Sequence, residues 1–139
     1  MALGMTKINN TSILTGEEIA ANTLEWSSDE GNVINVAAAE QVIDCMLQIQ
    51  ITFVAAGDDA ELHLRYSLDD GSTEDTPEVK TYAMTIENPG STTTQIVSYR
   101  VPGGFEYLDI GIKNIDSSEV ITSVVIDATY TKLTGMETS

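Results

Sequence analysis

The feature that most constrains this chain is a strict alternation of apolar and polar residues. In "IDCMLQIQITF", Ile43, Cys45, Leu47, Ile49, Ile51 and Phe53 share one side, and Asp44, Gln48, Gln50 and Thr52 share the other, with Met46 the exception. In "AELHLRYSL", Ala60, Leu62, Leu64, Tyr66 and Leu68 oppose Glu61, His63, Arg65 and Ser67. A period of two is the signature of a half-buried strand, not of a helix. Further strands are expected over Ile8–Leu14, Leu24–Ser27, Val33–Val36, Tyr82–Ile86, Gln95–Val101, Tyr107–Lys113 and Val120–Lys132. Only Thr15–Asn22 and Ala37–Gln41 read as helical turns. Turn signals such as "AAGDD", "DDGSTED", "NPGS" and "PGG" separate the strands. The pattern predicts an all-β protein, an antiparallel β-sandwich of jelly-roll or immunoglobulin-like type with about eight strands. Residues 21–135 form the sandwich, residues 1–20 an N-terminal arm or first strand, and residues 136–139 a short tail.

Charge excludes one class of partner. The chain carries 22 acidic and 6 basic residues, a net charge of −16. Such a surface repels phosphate backbones, so no nucleic acid is expected as a partner. The acidity serves solubility, or adaptation to a salty habitat. No apolar run approaches the roughly 20 residues of a membrane helix, and the N-terminus lacks a secretory h-region. Neither a membrane partner nor an export step is expected, and synthesis is placed in a host cytoplasm. A single cysteine, Cys45, rules out an internal disulfide.

Chemistry was sought residue by residue. Cys45 and His63 are the only thiol and imidazole. With the two strands joined as a hairpin through "AAGD", they lie on opposite faces, on the order of 20 Å apart. Hydrogen-bond reach is about 3 Å, so no Cys–His pair forms. One histidine also removes a multi-histidine metal site. The acidic stretch "RYSLDDGSTEDTP" offers Asp69, Asp70, Glu74 and Asp75 as calcium candidates, with Glu78 nearby. The EF-hand spacing is missing, because Gly71 and Thr73 stand at the third and fifth positions from Asp69. Exposed carboxylates about 4 Å apart repel by only about 1 kcal/mol, so a solvated loop needs no cation. No catalytic residue and no cofactor are expected, calcium at these residues being the one candidate. The rings of Trp26, Tyr66, Tyr82, Tyr107 and Tyr130 fit inward strand positions, as core more than as a sugar platform.

"SLDDGST", Ser67–Thr73, resembles the Asp-box pattern S-x-D-x-G-x-T of sialidase-like propellers and other β-proteins. Ser67, Asp69, Gly71 and Thr73 match it, and Glu74 stands where tryptophan is usual. The likeness spans about seven residues and implies a turn, not a sialidase. More broadly, "NVINVAAAEQVIDCMLQIQITF", "LHLRYSLDDGSTEDTP" and the closing "VPGGFEYLDIGIKNIDSSEVITSVVIDATYTKL" resemble small β-sandwich accessory proteins of tailed phages and related virions. That family includes capsid decoration (cement) proteins and tail or fibre modules. The resemblance implies a non-enzymatic virion protein whose partners are the major capsid protein or other virion proteins, and a homo-oligomer. The alternative is a carbohydrate- or surface-binding module at a tail or fibre. No site residue comes with the resemblance.

Overall fold

A computed structural model describes residues 4–37, 40–54, 57–67, 79–90 and 93–134. Nine strands lie within them: β1 (Gly4–Ile19), β2 (Thr23–Trp26), β3 (Ile34–Asn35), β4 (Gln41–Phe53), β5 (Ala60–Ser67), β6 (Val79–Ile86), β7 (Thr93–Val101), β8 (Tyr107–Asn114) and β9 (Ile121–Thr134). One 3₁₀ turn, Ser27–Glu30, follows β2.

The strands form two antiparallel sheets. Sheet A has the order β1-β9-β4-β7, and sheet B the order β2-β8-β5-β6 with β3 also on β8. This order is that of a jelly roll, which decides against the immunoglobulin-like variant. It also overturns the expected β4–β5 hairpin. β4 pairs β9 and β7, while β5 pairs β6 and β8, so the chain crosses between sheets after Phe53. Among the named strands, only β5 and β6 are both consecutive and paired.

The inner faces carry the alternation read from sequence. Leu47, Ile49 and Ile51 of β4 and Leu62 and Leu64 of β5 are fully covered, with Ile110 and Ile112 of β8 and Ile126 of β9. Each such side chain contributes about 1.5–3 kcal/mol when removed from water. Cys45 belongs to this core as a buried thiol, its pKa pushed up to about 12 by burial first and by Asp44 second. His63 lies on the outer side of sheet B, so the two remain unpaired although the hairpin does not exist.

Three departures from the alternation have one cause. A register shift between Val42 and Asp44 turns Val42 inward and leaves Ile43 exposed. A shift opposite Leu62 and His63 sets Met84 inward but Tyr82 outward, with 51% of its surface exposed. β1 runs through Thr15–Ile19, where a helical turn was expected, with shifts along its pairing to β9. Each bulge inserts one residue and reverses the facing beyond it. Ser67, expected on the outer side, is buried.

One polar hub ties the end of the sandwich. Asn114 donates through Nδ2 to the carbonyls of Ile19 (3.2 Å), Ala20 (3.3 Å) and Glu119 (2.8 Å). Asp116 accepts from the backbone N–H groups of Ser118 and Glu119, and from Asp58 in the β4–β5 crossing, each at 2.9 Å. Those three bonds hold its carboxyl down to about 2, the Ser118 bond first. The folded pKa is depressed, so this hub stabilises the protein above pH about 4 and the contribution is lost as pH falls toward 2. Asp116→Asn is expected to lower the melting temperature at neutral pH and to flatten its fall below pH about 4. Thermal melts of both proteins across that range check this.

Candidate functional site

The outer face of sheet B holds the densest side-chain constellation. Register sets Trp26 of β2 beside Gly111 of β8, Gly111 beside His63 of β5, and His63 beside Tyr82 of β6. Three rings and a glycine therefore share one row across four strands. Trp26 points outward, contrary to the inward placement expected, because a Cβ at Gly111 would sit 2.7 Å from its ring. Glycine is the residue that lets the indole lie on the sheet. Tyr82 also departs from the expected inward placement, whereas Tyr66, Tyr99 and Tyr130 pack partly buried on the core.

Below this row sits a buried carboxylate. Asp109, fully covered, accepts from Ser27 Oγ (2.9 Å), the Ser28 backbone N–H (2.9 Å) and Ser28 Oγ (2.6 Å). Arg65 adds two contacts to the same oxygen, Nε at 2.8 Å and Nη2 at 2.7 Å. The Arg65 guanidinium carbon also lies over the Trp26 ring, 4.1 Å from its centroid. A charge this deep is tolerated because it is paired and hydrogen-bonded on both oxygens. Its lone pairs are taken by these donors, so Asp109 anchors the 3₁₀ turn to β8 and β5. Sequence reasoning passed over Asp109. The signal was an acid at an outward position of the strand "YLDIGIKN", opposite the Ser-Ser pair after Trp26.

The rings do not form a stacked platform. Trp26 has glycine beneath it and arginine over it, and the His63 and Tyr82 rings meet edge to face at 5.7 Å and 72°. His63 Nε2 is 3.0 Å from Glu61. On this row, Tyr82 presents the most exposed ring.

The four calcium candidates, Asp69, Asp70, Glu74 and Asp75, lie outside the described residues. The structure brings together a different acidic set. Glu17 of β1, Glu25 of β2 and Glu30 of the 3₁₀ turn place carboxylate oxygens within 4.8 Å of one another. Partial burial first, and neighbouring carboxylates second, push the pKa of Glu17 and Glu25 up. Three carboxylates could ligate a hard cation such as calcium. The same crowding costs stability in a protein free of metal.

The opposite outer face, on sheet A, is of another kind. Its outward rows read Thr94, Ile96, Ser98 and Arg100 on β7, then Asp44, Met46, Gln48, Gln50 and Thr52 on β4. They continue as Ser123, Val125, Asp127, Thr129 and Thr131 on β9, and Lys7, Ser12 and Thr15 on β1. The charged members are three acids, Asp44, Asp127 and Glu18 of β1, and two bases, Lys7 and Arg100, so this face is close to neutral in a chain of −16. Arg100 and Asp44 pair at 2.8 Å. Met46 and Ile96 stand out of this face, 42% and 57% exposed.

No protein-family model matches the chain, and no curated protein sequence does. Solved structures do resemble it. One is the T=1 particle derived from infectious bursal virus, at TM-score 0.55 and 7% identity, covering 96% of this chain and 32% of that one. Another is infectious bursal disease virus, Gt strain, at TM-score 0.53 and 7% identity, covering 95% and 33%. A family 16 carbohydrate-binding module aligns at TM-score 0.39 and 15% identity, over 84% of this chain and 71% of its own. The chain spans about a third of the virus chains' length. At these identities the likeness is one of fold: a small β-sandwich shared with viral capsid proteins.

Two outcomes follow. Asp109→Ala removes the carboxylate that the partly buried Arg65 and the Ser27–Ser28 turn share, and is expected to cost about 3–5 kcal/mol, read by chemical denaturation. Glu25→Gln is expected to raise the melting temperature at pH 7. The wild-type penalty arises only when the carboxyl, with its raised pKa, is ionised, so the gain should shrink as pH falls toward 4.5. A melting series over pH, without calcium and with it, reads both the repulsion and any cation that relieves it.

Proposed function

We propose that this chain is a non-enzymatic structural protein of a virion, a jelly roll that coats or cements a viral shell. The observation that carries the reading is the segregation of charge. A chain of −16 turns one broad, nearly neutral face outward, on sheet A, with Met46 and Ile96 on it. Protein–protein contact cores are depleted in charge and enriched in Met and large apolar groups. A surface of the opposite character elsewhere keeps the particle's exterior soluble and off the packaged genome. The partners in this reading are the major capsid protein or other virion proteins, and the place of action is the virion, after synthesis in the host cytoplasm. The fold likeness to viral capsid proteins supports it.

A second reading, a carbohydrate-binding module at a tail or fibre, is favoured by one observation, the row of Trp26, His63 and Tyr82 on sheet B. It has a single well-exposed ring to offer a sugar, which is why the first reading is preferred.

Mass spectrometry of purified particles is expected to find this chain at structural copy number. Met46→Glu, on the sheet A face, is expected to keep the fold and lose retention on the shell. Absence from particles, together with a glycan-array signal that Tyr82→Ala removes, would transfer the case to the second reading.

A further inference from the structure

The two sheets have edges of very unequal character. A sheet edge presents backbone N–H and C=O groups able to recruit another strand, and proteins blunt such edges with bulges, short strands or charge. β1 is broken by register shifts at four places along β9. β6 carries a register shift against β5. The far edge of sheet B is split into short β2 and β3, with the 3₁₀ turn between them.

β7 is neither bulged nor broken. Its nine residues pair with β4 without a shift, from Cys45 with Val101 to Phe53 with Thr93. "TTQIVSYRV" contains no proline or glycine, and its one charge, Arg100, stands near one end. On the outer side Ile96 is 57% exposed. On the inner side Val97 and Tyr99 pack on the core yet stay only half-covered. Both flanks of the edge therefore have apolar surface left to bury.

We infer that β7 is a self-association edge, and that two copies of this chain join β7 to β7 antiparallel, making one continuous eight-stranded sheet from two copies of the four-stranded sheet A. The occupant is a second copy for two reasons. Pairing needs two open edges, and β7 is the one edge among the described strands that is neither bulged nor split into short pieces. Like with like then gives a two-fold contact that closes at the dimer. Charge agrees with it. Repulsion between chains of −16 opposes contact over most of the surface, but this strip carries no acid. With the axis at Val97, Ile96 of each copy faces Ser98 of the other and Arg100 faces Thr94, which keeps the two arginines apart. The inference goes beyond the shell reading and does not depend on it.

Sedimentation velocity of the purified full chain is the test. The expected result is a species of about twice the 15.0 kDa chain mass, its share rising with concentration and with salt. Salt helps because the Debye length falls from about 10 Å at 0.1 M to about 3 Å at 1 M, which screens the repulsion. Ile96→Glu sets carboxylates close to the axis at an exposed position. It should weaken the association at least about tenfold, or about 1.4 kcal/mol, with an unchanged monomer melt. Thr15→Glu, on β1, should change nothing. Hydrogen exchange should show β7 amides gaining protection as concentration rises. A monomer at every concentration in high salt would overturn the inference. So would a dimer indifferent to Ile96→Glu, protection appearing on β1 instead, or an open-ended series of sizes. None of these outcomes touches the copy number in particles, so the two readings fail separately.

Discussion

Everything in this molecule depends on closing two apolar sheet faces over each other. Leu47, Ile49 and Ile51 from sheet A, and Leu62, Leu64, Ile110 and Ile112 from sheet B, have no other way out of water. No disulfide assists, since the one thiol is itself part of the packing. The connections serve that closure. Most pass from one sheet to the other, and the polar hub of Asn114 and Asp116 pins the ends of β1, the β4–β5 crossing and the β8–β9 loop into one hydrogen-bonded corner.

With the inner faces committed to the core, function is left to the outer faces and the edges. The two outer faces solve different problems. On sheet B, a buried carboxylate is held by an arginine and two serines, an arrangement that fixes a 3₁₀ turn in place. Removing one partner there is costly because the other remains charged in a covered site. On sheet A, polar side chains and nearly balanced charge surround the exposed Met46 and Ile96. The contrast is between a chain of −16 and a face that is nearly neutral.

The jelly roll itself does not choose between these uses, since capsid proteins and carbohydrate-binding modules share related sandwiches. Individual side chains bear on both readings. A sugar platform needs free ring faces, and the Trp26 ring is engaged by Gly111 and Arg65. A contact face needs few charges and some apolar relief, and Met46 and Ile96 supply it.

The sequence by itself determined that this is an antiparallel β-sandwich and roughly where each strand runs, because burying one side of a strand writes a period of two directly into the residues. It also determined that Cys45 is core. Tertiary structure decided the rest. Which strands are neighbours depends on long-range pairing that no local pattern encodes, so β4 and β5, adjacent in sequence, fall in different sheets. The facing of Ile43 and Tyr82 depends on bulges, and a single inserted residue is invisible to an alternation count. The burial of Asp109, and the grouping of Glu17, Glu25 and Glu30, join residues far apart in the chain. The openness of β7 is likewise a property of the finished sheet, since a strand becomes an edge only when its neighbours have been assigned.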